Sequence, residues 1–143
     1  MTEVCARCYT VKDCDPVAFL SARRRENARL VIQGFSKWVT TNESFVEMVA
    51  AQTLHAIKTG NLLAGKPEID LLLRVAGTTQ IATAISKIGA KKGEAFVVAF
   101  AGPRQLLSEL KEGAGWTRLP RNELTEAELG RIERAALLNA RKR

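Results

Sequence analysis

The chain of 143 residues has little of what most enzymes use for catalysis. It contains a single histidine, His55, and only three cysteines. A Ser–His–acid triad needs a serine and an acid beside the histidine, and the pattern places neither beside His55. The phosphate- and dinucleotide-binding motifs G-x-x-x-x-G-K and G-x-G-x-x-G are absent, as are paired carboxylates suited to general acid–base work. These absences predict a protein that is not an enzyme.

The scarcity of cysteine and histidine also limits metal binding. Cys5 and Cys8 have C-x-x-C spacing, but a structural zinc site needs four ligands, and only Cys14 and His55 could complete it. We therefore predict free thiols, no metal and no other cofactor. No run of about 18 apolar residues is present, and residues 1–10 do not resemble a signal peptide. The expected location is the cytoplasm.

Positive charge is what the chain has in excess. The formal net charge is +7, from 22 Lys and Arg against 15 Asp and Glu, and the isoelectric point is about 9.7. Residues 76–143 hold 12 of the basic and 7 of the acidic residues. This balance favours polyanionic partners, with nucleic acid first. Any single basic cluster can equally be a solvated surface, so both interpretations stay open.

The hydrophobic pattern predicts one α+β domain over residues 1–143, with three short strands among five or six helices and a basic tail at residues 141–143. Strands are expected at residues 3–11, 29–33 and 95–100. The last of these is apolar on both faces, which predicts a central position in a covered sheet. Helix starts are expected at Asp15-Pro16, Asn42, Pro67, the Thr78-Thr79 pair, Gly102-Pro103 and Thr125, with a loop at residues 116–121.

The junction within residues 67–89 is the most informative segment. Gly77 is expected to end one helix, and Thr78 or Thr79 to cap the next. The free N–H groups of a helix start beside a glycine suit an anion such as a nucleic-acid phosphate. A plain helix–helix corner is the other interpretation.

Two tryptophans lie near basic residues. Trp38 follows Lys37, and Trp116 precedes Thr117-Arg118. Either indole could stack on an unpaired base beside a cation, as single-stranded nucleic acid requires. Packing in the core or at its rim is the alternative for both.

The central segment resembles a known family signature. Residues 69–73, 76–81, 84–85 and 89 are similar to the pattern acid-I-L-L-x-x-A-G-x-R-Q-I-x-x-A-I-x-x-x-G of the small kinase-binding subunit of the KEOPS complex, the PRPK-binding protein family. The likeness extends over about residues 28–140. The family often has arginine where this chain has Thr79, so an RNA contact made by that arginine would need another cation here. Small size and unpaired cysteines suggest an archaeal member.

The resemblance implies a fold and a function. The fold is a small three-stranded antiparallel sheet flanked by five to six helices. KEOPS forms the N-threonylcarbamoyl modification on the adenosine beside the anticodon of ANN-decoding tRNAs. Chemistry belongs to the threonylcarbamoyl transferase subunit, and a small atypical kinase with ATPase activity supports it. The implied role of this chain is a non-catalytic subunit that binds the kinase and recruits tRNA by its 3′ CCA end.

Site residues follow from the resemblance combined with the residue pattern. Backbone N–H groups at the junction would meet phosphates and lysines would attract the acceptor stem, which gives the expected tRNA-binding residues Gly77, Thr78, Thr79, Gln80, Lys87, Lys91 and Lys92. The apolar face of the last helix gives the expected kinase-binding residues Leu129, Ile132, Ala136 and Leu137. That face could instead pack only on the core of the protein itself. The alternative function is a free-standing RNA-binding domain without an obligate kinase partner.

Overall fold

The computed structural model describes the backbone of residues 5–141 and the side chains of residues 5–140. Its elements, in chain order, are β1 (Ala6–Val11), α1 (Pro16–Glu26), β2 (Val31–Ser36), α2 (Glu43–Thr59), α3 (Pro67–Ala76), α4 (Ile81–Ile88), β3 (Phe96–Ala101), α5 (Arg104–Ser108), β4 (Thr117–Arg118) and α6 (Glu126–Arg141). The α+β class is therefore as predicted. None of the helices in residues 5–141 is long and apolar enough to cross a membrane.

The sheet is antiparallel throughout, with strand order β2-β3-β1-β4. Every residue of β3 is buried, and the strand pairs on both sides, which confirms its predicted central position. The expected three strands fall one short of those in residues 5–141. Thr117 and Arg118 pair with β1, although residues 116–121 were expected to form a loop. A two-residue strand has no periodicity by which a sequence could reveal it.

Helices cover both faces of the sheet, so the described residues form three layers. Helices α2, α3, α4 and α6 contribute to the core on one face, and α1 and α5 pack on the other with Trp116. Strand β3 alternates between the two cores: Val97, Ala99 and Ala101 face the first, and Phe96, Val98 and Phe100 the second. The indole of Trp116 stacks on Phe100 with ring centroids 5.7 Å apart, so the packing interpretation holds for this tryptophan.

Several predicted helix starts are confirmed by their capping bonds. The Asn42 side chain accepts a hydrogen bond from the Ser44 N–H at 3.1 Å, and α2 begins at Glu43. Thr125 and Glu128 form the expected reciprocal capping box, with bonds of 3.0 and 3.1 Å. Satisfied N–H groups at each start explain why these helices begin where they do.

The second strand extends further than expected. It was predicted to end at residue 33 but continues to Ser36, because Gly34 pairs with Val98 inside the ladder. The predicted basic tail begins at Arg141, which is the last residue of α6, and residues 142–143 lie outside the described range.

A buried ion pair joins three of the helices. Asp70 and Arg74 on α3 are 0% and 2% exposed, and Arg74 Nε lies 2.7 Å from Asp70 Oδ1. The Thr53 hydroxyl of α2 donates to the same carboxylate at 2.6 Å, and Arg74 Nη1 donates to the Ala135 carbonyl of α6 at 3.2 Å. Because the buried pair also bonds to α2 and to α6, the network fixes α6 against α3.

The outer edge of the sheet at β2 is occupied by other parts of the chain. Nε and Nη2 of Arg24 donate to the Ile32 carbonyl at 3.0 and 2.7 Å. Phe35 forms an isolated antiparallel bridge with Gly89, directly after α4. The side-chain nitrogen of Gln33 donates to the Glu68 carbonyl at 2.9 Å. Helices α1, α3 and α4 are thereby tied to the edge strand.

Candidate nucleic-acid groove

The junction between α3 and α4 turns at Gly77, as predicted. Gly77 has φ 76°, a left-handed conformation that suits glycine, and its N–H and that of Thr78 both donate to the Leu73 carbonyl. The expected cap at Thr78 or Thr79 was wrong by one or two residues, since Gln80 is the N-cap of α4. The Thr78 hydroxyl instead accepts the Gln80 N–H at 3.1 Å and closes a turn before the helix. No side chain caps α4 within the described residues.

A cavity of about 430 Å³ lies beside this junction, between the end of β2, α3, α4 and α6. We call it the basic groove, and its lining residues are Ser36, Trp38, Val39, Val75, Ala76, Gly77, Lys87, Ile88, Lys91, Arg131 and Arg134. Four of these side chains are cationic, and no aspartate or glutamate lines the cavity. The groove therefore concentrates positive charge in a concave site, which favours an anionic ligand.

Arg134 lies directly over the glycine of the junction. A β-carbon built on Gly77 would lie 3.2 Å from Cδ of Arg134, which is closer than ordinary van der Waals contact. Glycine is favoured here by its positive φ, and the absence of a side chain lets the arginine lie close over it. The contact brings a cation from α6 to the end of α3.

Arg131 forms a fixed wall of the basic groove. Its Nη1 donates to the Val39 carbonyl at 3.1 Å and its Nη2 to the Val75 carbonyl at 3.4 Å. The guanidinium also lies 4.2 Å from the ring centroid of Phe45. Burial lowers the pKa of Arg131, and the nearby Glu128 acts in the opposite direction. These contacts order the side chain before any ligand arrives.

Trp38 is the most exposed large hydrophobic side chain among the described residues, at 81%. It lines the basic groove just after β2 ends at Ser36. Nζ of Lys37 lies over the indole, 5.1 Å from its centroid. The interpretation that this tryptophan packs in the core or at its rim is therefore wrong, since most of its surface faces solvent.

The structure brings together some of the expected tRNA-binding residues. Gly77, Lys87 and Lys91 line the basic groove. Thr78, Thr79 and Gln80 belong to the adjoining junction but do not line the cavity. Lys92 lines a separate cleft of about 360 Å³, whose other members are Lys12, Asp13, Cys14, Asp15, Gly93, Glu94 and Ala95.

Sequence reasoning missed Arg131 and Arg134. Only the apolar positions of the last helix were considered there. The i, i+3 spacing of the two arginines nevertheless places both on one side of a helix. That spacing was the only available signal. Both arginines reach the Gly77 region from a part of the chain more than 50 residues away. For example, Nη2 of Arg131 donates to the Val75 carbonyl, 56 positions earlier.

The expected kinase-binding residues lie mostly on the outer side of α6. Leu129 and Leu137 are 51% and 54% exposed, and Ala136 is exposed too. Ile132 is half-buried against the first core. The buried face of α6 is centred on Ala135 and Leu138, which belong to the first core. The hydrogen bonds between Arg74 and α6 lie beside it.

The cysteines and the histidine lie away from the basic groove. Cys8 is buried in β1, where burial first and Glu43 second raise its thiol pKa. The Cys5 thiol donates to the Glu47 carbonyl at 3.4 Å, and burial raises its pKa to about 11. His55 is exposed on α2. Within residues 5–140, no three His, Cys, Asp or Glu side chains are grouped so as to hold a metal ion.

A larger cavity, of about 610 Å³, lies on the opposite side of the sheet. Its charged lining residues are Arg23, Arg29 and Lys111 together with Glu26 and Glu109. Because acids offset most of the positive charge there, the smaller basic groove is the stronger candidate for a polyanion. No protein-family model matches this sequence, and no curated protein matches it either.

Proposed function

We propose that this chain is a non-catalytic, cytoplasmic subunit of a KEOPS-type assembly for threonylcarbamoyladenosine modification of tRNA. In this role it binds the small atypical kinase and recruits tRNA through the 3′ CCA end. The basic groove carries the proposal, because four cations and no carboxylate line a cavity at Gly77 of the signature. An unpaired tRNA end would offer that cavity phosphates without requiring a wide surface.

Arg134 is our candidate for the cation that the signature places at position 79 and that this chain lacks there. The chain has Thr79 at the position where the family often has arginine. Arg134 comes from α6 but lies against Gly77, two residues before that threonine. We propose that it supplies the cation that the threonine cannot, while the backbone of the junction keeps the shape of the signature.

The kinase contact is proposed for the outer side of α6. Leu129 and Leu137 are each more than half exposed there, and a partner that covers them would remove apolar surface from water. Through the kinase, the chain would be linked indirectly to the transferase. A Leu137→Asp variant should lose capture of the kinase in a pull-down while its circular dichroism stays that of the native protein. Undiminished capture would exclude this part of α6.

The first test compares intact tRNA with the same tRNA lacking CCA, at one physiological salt concentration. Trimming should weaken binding strongly to the native protein. An Arg134→Ala variant should show a much smaller difference between the two tRNAs, since Arg134 lines the groove. Lys58→Ala, at an exposed position near the end of α2, is the matched charge control. Equal binding of the two tRNAs would mean that the charge supplies only non-specific affinity.

The second candidate is a free-standing RNA-binding domain without an obligate kinase. The basic groove favours it as strongly as it favours the first proposal, because charge complementarity concerns RNA alone. Copurification with the kinase separates the two functions. A stable complex supports the adaptor, and CCA-dependent binding without any complex supports the free-standing domain.

A further inference from the structure

We propose that Trp38 is a base-stacking platform, so that the basic groove takes one unpaired nucleotide with its base on the indole and its phosphate on Arg134. This inference rests on the proposed RNA-binding function and adds the residue that selects unpaired RNA. The observation behind it is an indole 81% exposed to water at the rim of a groove lined by four cations.

An exposed indole calls for an explanation because its surface is largely apolar. The other tryptophan, Trp116, is half-buried among Tyr9, Phe19 and Phe100. Trp38 makes no such ring contact among the described residues. Protein surfaces that keep an aromatic ring beside cations typically do so for ligands with a flat π face, and every nucleobase has one.

Lys37 leaves room for a base on the indole. Its Nζ lies over the ring at 5.1 Å from the centroid, and the side chain of Trp38 nevertheless keeps 81% of its surface exposed. The ring is thus near a cation and still leaves most of its surface open to solvent. A base stacked on the exposed ring would lie in a field that also attracts the neighbouring phosphate.

The turn that carries Trp38 is hydrogen-bonded to Arg131 of the basic groove. The Val39 N–H donates to the Ser36 carbonyl at 3.0 Å, which closes the turn that carries Trp38. The Val39 carbonyl accepts from Arg131 Nη1 at 3.1 Å. Because the same arginine holds the turn and lines the groove, the stacking surface and the phosphate-binding side are held together before RNA binds.

A stacking platform discriminates between RNA forms. In a duplex the bases are stacked on each other, and their faces are unavailable to a protein ring. Cations alone would bind both forms, since phosphates are common to both. Trp38 should therefore contribute to the binding of single strands and not to that of duplexes.

The test uses an eight-nucleotide single-stranded RNA ending in CCA and a blunt duplex of the same strand. Trp38→Ala should weaken binding of the single strand by about 5- to 150-fold, with the salt dependence and the duplex affinity unchanged. Trp38→Phe should retain most of the affinity but lose the quenching of tryptophan fluorescence by the single strand. Val17→Ala, at a position 74% exposed outside the groove, is the matched control and should bind like the native protein.

Three results would overturn the inference. Native affinity in Trp38→Ala, with binding still reduced in Arg134→Ala, would leave an RNA-binding groove without a stacking platform. An equal loss for single strand and duplex would show that Trp38 does not read unpaired bases. Loss of kinase capture alone would make Trp38 a protein contact. If neither variant altered RNA binding, the proposed function itself would fail, so the two failures are distinguishable.

Discussion

Two groups of cations in this protein differ in their partners. Arg74, Arg118 and Arg121 lie 2.7 to 2.9 Å from buried carboxylates. Lys87 and Arg134 line the basic groove, and the described side chains include no carboxylate within ion-pair distance of them. Pairing with an acid removes a cation from competition for phosphate. The first group therefore serves the fold, and the second remains available to a ligand.

The paired group exists because carboxylates are buried. Glu43 is 0% exposed, and it accepts hydrogen bonds from Arg118 at 2.8 Å, Arg121 at 2.9 Å and the Cys8 N–H at 2.9 Å. Glu47, one turn later, binds Arg121 at 2.8 Å. A buried carboxylate without such partners would cost several kcal/mol. These bonds hold β4 and the following segment against α2 and β1.

Removing a buried acid should give the largest effect. Asp70→Ala leaves the charge of Arg74 inside the protein without its partner, and we expect a loss of about 3–5 kcal/mol in the free energy of unfolding. Urea denaturation followed by circular dichroism measures it. A double variant, Asp70→Ala with Arg74→Met, should recover part of the loss because no unpaired charge remains. A single variant as stable as the native protein would contradict the assignment of Arg74 to the paired group.

Glu43→Gln should give a smaller loss that depends on pH. Burial raises the pKa of Glu43, but hydrogen bonds from Arg118, the Cys8 N–H and Arg121 outweigh burial, and the net pKa lies below its ordinary value of 4.5. Because the folded-state pKa is lowered, the ionised carboxylate of Glu43 stabilises the fold above pH 4.5. This contribution is lost as the pH falls through the folded-state pKa. The variant should be about 2 kcal/mol less stable near pH 7, with the gap closing on acidification.

Glu26→Gln is the control for that pH dependence. Glu26 is 59% exposed and pairs with Arg23 at 3.1 Å on the surface of α1, where such pairs contribute little. Denaturation midpoints measured from pH 7 to pH 3 should follow those of the native protein. A gap between Glu43→Gln and the native protein that stays constant from pH 7 to pH 3 would show that charge is not the cause.

The smallest effect separates two neighbouring lysines, of which only Lys91 lines the basic groove. Lys91→Ala should reduce the slope of log affinity against log salt by about 0.7 for single-stranded RNA, since one phosphate contact is lost. Lys92→Ala should leave the slope unchanged, because Lys92 lines the cleft that also contains Asp13, Asp15 and Glu94. The measurement is RNA binding across a salt series. Equal slopes for the two variants would mean that the groove does not select between these lysines.

The fold could be predicted where the signal was local. Three helix ends are fixed by bonds within a few residues, at the Asn42 cap, the Thr125–Glu128 box and Gly77. The burial of β3 could be predicted because the strand is apolar throughout. Strand β4 could not be predicted, because Thr117 and Arg118 are held by β1 and by a carboxylate 75 positions away. Long-range partners leave no periodicity in the sequence.

The candidate site shows the same limit more strongly. Gly77, Lys87 and Lys91 were found together because they belong to one continuous segment. Arg134 joins them from α6, and only packing of that helix on α3 brings it there. Trp38 was recognised as a candidate for stacking, but its exposure depends on the turn after β2 and could not be read from the sequence. The sequence therefore identified the candidate residues of one segment, but not the residues that tertiary packing adds to them.

The contacts at the edge strand β2 have a consequence for self-association. An open sheet edge offers unpaired N–H and C=O groups to which a strand of another chain can add, which is a route to aggregation. Here the guanidinium of Arg24 donates hydrogen bonds to the Ile32 carbonyl, and Gly89 forms a β-bridge with Phe35. At the opposite edge, β4 is only two residues long. The sheet therefore offers little template for growth, and a highly concentrated stock of this protein should resist conversion to β-rich fibres.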